Sequence, residues 1–140
     1  MKNKFGFILI KPQLGENIGA CARSMKNFGF ENLNIVSPKF SFPNHKTKVT
    51  SVGAFDVVNK TKVFKNIQDA INSFDIVISF SARKRDINKK NITINDLKNI
   101  INNKKKKNFG FMFGPEASGL SNQDLAYSNY IIQIPTMKRF

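Results

Sequence analysis

Short apolar runs alternate along this chain with segments of helical spacing, and this alternation constrains the fold more than any other feature. The runs are almost continuously apolar, as in parallel strands that helices cover on both faces, because a strand with one wet face alternates instead. Strands are predicted at 5–11, 33–37, 75–81, 109–113 and 130–135. Helices are predicted at 16–28, 66–73, 93–102 and 121–127, with polar loops at 38–48 and 84–91. We therefore predict an α/β fold on a parallel sheet.

The first predicted helix has two distinct faces. Its apolar stripe, which we expect to face the core, consists of Ile18, Cys21, Ala22, Met25 and Phe28. Another face carries Gly19, Arg23, Lys26 and Asn27. Arg23 therefore points toward solvent or a cleft, with Asn17 and Gly19 one or two turns before it, near the strand end where open α/β sheets bind ligands. Asn17 also has the side chain of a helix cap, and we expect Ser121 to cap the last helix.

Length and composition narrow the class of protein. A chain of 140 residues is long enough for one domain with a packed core. No stretch has the length of a membrane span and no secretion signal opens the chain, which indicates a cytoplasmic protein. Cys21 is the single cysteine, and the favoured interpretation is a buried small hydrophobe.

The charge of the chain is strongly positive. Lysine and arginine outnumber aspartate and glutamate by 23 to 9, for a formal net charge of +14. Such a chain attracts polyanions, so nucleic acid is the natural partner. The alternative is that a Lys-, Asn-, Ile- and Phe-rich composition reflects a biased coding sequence and that many lysines, including the run 104–107, are merely solvated. Composition leaves both interpretations open.

Two glycine-rich segments, 12–30 and 111–123, each leave an apolar run and open a predicted helix. This arrangement lets backbone amides approach a small polar ligand closely. The first segment matches neither the GxGxxG dinucleotide pattern nor the GxxxxGK[ST] phosphate loop, so NAD and ATP are not supported. His45 is the only histidine, so neither a histidine-based triad nor a histidine and cysteine metal site is expected.

The two segments resemble the paired motifs of the TrmH (SpoU) branch of the SPOUT superfamily, which consists of RNA ribose methyltransferases. Asn17-Ile18-Gly19 with Arg23 and Phe28-Gly29 is similar to the first motif. Phe113-Gly114-Pro115-Glu116 with Gly119-Leu120-Ser121 is similar to the second. Ser81-Ala82-Arg83-Lys84-Arg85 and the segment 52–58 resemble the TrmJ-type tRNA enzymes of that branch. The likeness spans nearly the whole chain.

The resemblance implies a Rossmann-like sheet with a C-terminal trefoil knot, used as a homodimer. It implies S-adenosylmethionine held largely by backbone groups, with the cofactor residues Ser79, Ser81, Ala82, Gly114, Glu116, Gly119, Ile134 and Thr136. Arg23 and Asn17 would serve catalysis, and Arg23, Lys26, Arg83 and Arg85 would contact RNA. For Arg83 and Arg85 a solvated loop is an equal alternative. The implied reaction is 2'-O-methylation of a ribose, in the anticodon loop of tRNA.

The end of the chain bears on this expectation. The sequence stops at Phe140, shortly after Thr136. The resemblance implies a third motif beyond that point, containing Ser-Leu-Asn, which completes the knot and much of the dimer interface. We therefore expect a single domain, residues 1–140, that is truncated, has an incomplete knot and leaves an apolar sheet face open. The alternatives to a tRNA enzyme are an inactive RNA-binding module and an rRNA ribose methyltransferase.

Overall fold

The computed structural model describes residues 4–82, 90–104, 106–116 and 118–134. Within these ranges lies one parallel sheet of seven strands, β1 (Lys4–Ile10), β2 (Asn32–Val36), β3 (Lys62–Phe64), β4 (Ile76–Ser81), β5 (Lys90–Ile92), β6 (Asn108–Phe113) and β7 (Tyr130–Gln133). Their spatial order is β3-β2-β1-β6-β4-β7-β5, and every neighbouring pair is parallel. The described helices are α1 (Gly15–Asn27), α2 (His45–Thr50), α3 (Phe55–Lys60), α4 (Ile67–Ile71), α5 (Ile94–Asn103) and α6 (Asn122–Leu125).

The predicted α/β class, the predicted strands and the predicted helices are confirmed, with small shifts at their ends. Ser121 caps α6 as predicted, since its side chain accepts a hydrogen bond from the Asp124 amide at 3.0 Å. Four short elements, α2, α3, β3 and β5, were not predicted, and α2 begins inside the predicted loop 38–48. They contain three to six residues, too few for a helical or strand period to stand out in a window of 11–18 residues.

Helices pack on both faces of the sheet, as the continuous apolar runs predicted, but on one face they leave an apolar groove between them, in line with the expectation of an open apolar face. On one face, Ile8, Val77 and Met112 form a buried cluster with Leu120 and Leu125 of the α6 region. On the other face, α1 and α3 pack over β2, while Leu97 and Ile100 of α5 pack against a second cluster around Ile78 and Ile132. In the part of the chain that the structure describes, no helix is long and apolar enough to cross a membrane.

The apolar stripe of α1 is confirmed at Ile18, Ala22 and Met25, which are buried, but the prediction for Phe28 is wrong. Phe28 is 79 % exposed because α1 ends at Asn27 and the backbone leaves the helical path there. Phe30 packs inward in its place, against the rings of Phe5 and Phe7. The placement of Gly19 on an outer face is also wrong, since Gly19 is buried against α2.

An aromatic groove runs over the centre of the second face, between α1 and α5. Its cavity volume is about 300 Å³, and it is lined by phenylalanines of β1, β4 and β6, by Phe30, and by Leu97 and Ile101 of α5. Phe80 and Phe113 stack within it, with ring centroids 4.8 Å apart and an interplanar angle of 3°. All the residues that the structure describes in the wall of this groove are apolar.

Candidate functional site

The strand order places a topological switch between β1 and β6. From β1 the chain passes through α1 to β2, which lies on one side of β1. From β6 it passes through α6 to β7, which lies in the opposite direction. The loops that follow β1 and β6 therefore diverge and leave a crevice between them. In open α/β sheets this crevice, outside the carboxyl ends of the strands, is where ligands bind.

Two hydrogen bonds join the two glycine-rich segments across this crevice. The backbone amide of Gln13 donates to both carboxylate oxygens of Glu116, at 3.2 Å to Oε1 and 3.1 Å to Oε2. The residues are 103 positions apart in sequence, so only the sheet brings them together. The structure thus places the first and second predicted motifs side by side. Sequence reasoning did not single out Gln13, because a backbone amide leaves no signal in residue identity.

The loop after β6, residues 114–119, is folded tightly on itself, and we call it the glycine loop. A Cβ atom on Gly114 would collide with the backbone of Gly119 and with the amide nitrogen of Leu120, so no larger residue fits at 114. Gly119 has a φ of +71°, and its amide donates to the Pro115 carbonyl at 2.8 Å. Glu116 and Gly119 are exposed. The loop therefore presents backbone and one carboxylate, rather than bulky side chains, to the crevice.

The loops after β4 and β7 adjoin this loop, because β6, β4 and β7 are neighbours in the sheet. The Ile134 amide donates to the Ser81 carbonyl at 2.7 Å, and both Ala82 and Ile134 are exposed. The predicted cofactor residues Ser81, Ala82 and Ile134 therefore lie together at one edge. Thr136, Arg83 and Arg85 lie outside the described residues.

Ser79 differs from the other predicted cofactor residues because it is fully buried in β4. Within the described part of the chain, its hydroxyl oxygen has no hydrogen-bond partner. Buried polar groups are nearly always paired, so an orphaned hydroxyl near a ligand-binding edge is the kind of group that a ligand satisfies. Together with the glycine loop, it makes this edge chemically suitable for a small polar cofactor that is bound through backbone groups.

Asn17 and Arg23 lie on α1, which starts at the crevice and leads away from it. The structure shows Leu14, not Asn17, at the N-cap position of α1, so the interpretation of Asn17 as a cap is wrong. Arg23 is exposed, and the described residues offer its guanidinium no ion pair. At a rise of 1.5 Å per residue, Arg23 lies roughly 12 Å beyond Gly15 along the helix axis. Arg23 therefore lies about two helical turns beyond the end of α1 that the bonds between Gln13 and Glu116 hold.

Lys26, a predicted RNA contact, has a partner within the protein. Its ammonium group forms an ion pair with Asp56 of α3 at 2.8 Å, and both side chains are about half exposed. The hydrogen bond from Lys26 is the largest cause that lowers the pKa of the Asp56 carboxyl below its usual value. An exposed pair of this kind adds little to stability, so Lys26 remains accessible to a stronger anionic partner. As for metal ions, the described ranges contain no cluster of histidine, cysteine or acidic residues that could hold one.

Comparison with known proteins decides the family. The sequence profile of the SpoU rRNA Methylase family matches residues 4–140. The chain belongs to this family. A tRNA (cytidine-2'-O-)-methyltransferase TrmJ from Methanocaldococcus jannaschii is 35 % identical over 136 residues, which are 95 % of this chain and 58 % of that protein. This member of the SpoU family thus spans less than two thirds of the length of that relative.

Solved structures agree with this assignment. The crystal structure of TrmJ from Z. mobilis ZM4 superposes with a TM-score of 0.86 at 35 % identity, covering 94 % of this chain and 59 % of that one. The SpoU methyltransferase AviRb from Streptomyces viridochromogenes, solved in complex with the cofactor AdoMet, has a TM-score of 0.70 at 15 % identity, covering 99 % and 51 %. The second likeness shows the shared fold alone. The resemblance to the TrmH (SpoU) branch that the two glycine-rich segments predicted is confirmed, and so is the resemblance to TrmJ-type proteins predicted from residues 81–85 and 52–58.

Proposed function

We propose that this protein transfers a methyl group from S-adenosylmethionine to a ribose 2'-hydroxyl of tRNA, in the anticodon loop. The observation that carries the proposal is the pair of hydrogen bonds from Gln13 to Glu116, which joins both family motifs at the switch point of the sheet. The TrmJ names of the relatives and the net charge of +14 support tRNA as the acceptor. The family description favours an rRNA ribose as the second candidate.

The cofactor would lie across the carboxyl ends of β6, β4 and β7. We assign its contacts to backbone groups at Ser81, Ala82, Gly114, Glu116, Gly119, Ile134 and Thr136, with the Ser79 hydroxyl as a buried hydrogen-bonding group below them. When bound, S-adenosylmethionine supplies an electrophilic methyl group on its sulfonium. The glycine loop leaves its backbone open to close approach, and Glu116 fixes that loop to the segment that starts α1.

Arg23 and Asn17 would act on the ribose. A guanidinium stays protonated at physiological pH, so Arg23 would orient the 2'-hydroxyl and its neighbouring phosphate and stabilise the developing oxyanion. The ribose oxygen would take the methyl group, the sulfonium would leave as a neutral thioether, and the hydroxyl proton would pass to solvent. Because Arg23 lies about 12 Å beyond Gly15 along α1, away from the end of the helix that Glu116 holds, we infer that a second copy of the chain supplies either Arg23 or the cofactor loops. The proposal therefore includes a homodimer. From the family resemblance it also includes a C-terminal knot and RNA contacts from Lys26, Arg83 and Arg85.

Radiolabelled methyl transfer tests the proposal directly. The protein is incubated with labelled S-adenosylmethionine and a tRNA transcript, a DNA strand of the same sequence, or a transcript that carries a single 2'-deoxy substitution at the labelled nucleotide. We expect label only in the all-ribose transcript, because the 2'-hydroxyl is the acceptor. An rRNA fragment as a further substrate separates the two candidates. Equal labelling of the DNA, or labelling that survives the single 2'-deoxy substitution, contradicts the proposal.

A further inference from the structure

A second cleft lies at the carboxyl edge of the sheet, on the face that carries α4 and α6. Its cavity volume is about 210 Å³. Ile10, Val36 and Ile67 form its apolar floor, and Lys11, Lys65 and Tyr127 line it as well. The volume is below the range of roughly 300–1,000 Å³ that is typical of pockets for whole small molecules.

The rim of this cleft is positively charged. Lys11 directly follows β1 and Lys65 directly follows β3, and both are exposed. Among the described residues, neither ammonium group forms an ion pair, since the ion pairs that exist involve other lysines. Asp124 is the acid in the lining, and its carboxylate already accepts a hydrogen bond from the Ser121 amide at the start of α6. The rim therefore carries two lysines against one aspartate, and neither lysine is held in an ion pair among the described residues.

The backbone around the cleft is held in an unusual conformation. Lys11 and Ser37 each have a φ of +47°, which is uncommon for residues other than glycine and costs free energy. Both line the cleft. The Lys11 amide donates a hydrogen bond to the Val36 carbonyl at 2.7 Å, and the Ser37 hydroxyl donates to the Lys65 carbonyl at 2.8 Å. These bonds tie the two lysine-bearing loops to one another through β2 and fix their positions.

The cleft and the candidate site are close neighbours along the chain. Lys11 stands two residues before Gln13, whose amide holds Glu116, and Tyr127 follows α6, which begins after the glycine loop. The Cα atoms of Lys11 and Gln13 are at most about 7 Å apart, so an RNA strand that places its ribose in the crevice can reach this cleft. Tyr127 is 38 % exposed, so part of its ring is free for a base to stack on, and lysines at a groove attract the phosphate backbone.

We propose that this cleft binds one RNA nucleotide that flanks the methylated ribose, with Lys11 and Lys65 on its phosphate and Tyr127 against its base. The inference rests on the proposed function, because it assumes that RNA is the substrate of the neighbouring site. It assigns to Lys11, Lys65 and Tyr127 a contact with RNA, and it predicts that none of the three contributes to binding of S-adenosylmethionine.

Filter binding of a tRNA transcript to the 140-residue protein over a series of salt concentrations tests this inference. The double variant Lys11→Gln/Lys65→Gln should bind about tenfold more weakly, and the slope of log affinity against log salt should fall by about 0.7, the value for one lost phosphate contact on a single strand. The matched control, Lys62→Gln/Lys98→Gln, removes the same charge from exposed lysines outside the cleft and should stay within about twofold of the parent. Tyr127→Leu should weaken binding without changing the slope, and Tyr127→Phe should restore it.

The outcomes separate the inference from the proposed function. Equal losses in the cleft and control variants, or no RNA binding by the parent, overturn the inference. An equal loss of S-adenosylmethionine binding by calorimetry shows that the cleft belongs to the cofactor site and also overturns it. If the cleft variants alone lose RNA affinity but the parent labels no ribose, the contact between the cleft and RNA stands, whereas the proposed methyl transfer and the position of the nucleotide beside a methylated ribose both fail.

Discussion

Replacement of Gly19 by alanine tests the close approach of α1 and α2. Glycine inside a helix is less favourable than alanine by about 1 kcal/mol, so helix propensity alone predicts that Gly19→Ala stabilises the protein. In the structure, a Cβ atom at this position would lie 2.7 Å from the Thr47 carbonyl oxygen and 2.9 Å from the Thr50 Cβ, and it would collide with the Thr50 hydroxyl. The two effects therefore have opposite signs.

The size of the collision decides the net effect. An ordinary contact begins near 3.4 Å, so the two helices would have to separate by at least about 0.7 Å at a backbone atom that cannot rotate away. Overpacking of this kind costs about 1–3 kcal/mol, and rigid backbone favours the upper part of that range. After the propensity gain of about 1 kcal/mol is subtracted, Gly19→Ala should lower the free energy of unfolding by about 1–2 kcal/mol.

Urea denaturation followed by circular dichroism measures this quantity. Ala20→Gly is the matched control in the same helix, because Ala20 is exposed. This variant should lower the free energy of unfolding by about 1 kcal/mol, through helix propensity alone. Adding Thr50→Ala to Gly19→Ala removes the nearest side-chain atoms and should recover part of the stability. A Gly19→Ala variant as stable as the parent, or more stable, would show that α1 and α2 are not packed at this distance.

Three further predictions concern the site and the single thiol. Glu116→Ala should weaken S-adenosylmethionine binding about three- to tenfold in calorimetry, because the loop loses its hydrogen bonds to Gln13. Glu116→Gln should retain most of the affinity. Equal affinities for the parent and the alanine variant would show that these hydrogen bonds do not support cofactor binding. Arg23→Ala should lower the rate of single-turnover methyl transfer by about 10²- to 10⁴-fold and leave the cofactor affinity unchanged. The control variant Ser24→Ala should have little effect on either. If the Arg23→Ala rate stays within a few fold of the parent rate, Arg23 has no part in the reaction. Burial raises the pKa of Cys21 from 9.0 to about 11, which lowers the thiolate fraction at pH 8 about 100-fold. A thiolate whose pKa is higher by this amount is about tenfold more nucleophilic, so Cys21 should react with Ellman's reagent at pH 8 about tenfold more slowly in the folded protein than in urea. Because the folded-state pKa is the higher one, the neutral thiol stabilises the fold below pH 9, and this stabilisation is lost as the pH rises toward 11. Cys21→Ala should remove this pH dependence of the free energy of unfolding.

The sequence by itself determined the class of fold and the family. Continuous apolar runs specify parallel strands because such strands are buried on both faces, and each run lies within the strand it predicted, apart from one or two terminal residues. The two motifs were sufficient to indicate a SpoU-type chain, because glycine and proline at fixed offsets report backbone conformations that few folds require.

Only the tertiary structure decided where the motifs meet and which residues join them. The Gln13 amide is invisible in a sequence because every residue except proline carries one, and its bond to Glu116 depends on the order of strands that are distant in the chain. Gly19 was assigned to an outer face because its partner α2 is too short to predict, and Phe28 was assigned to the core because the helical period was extended one residue past the end of α1. Local periodicity reports a residue's own element, whereas burial also depends on the neighbour that packs against it, and the neighbour is chosen by the whole fold.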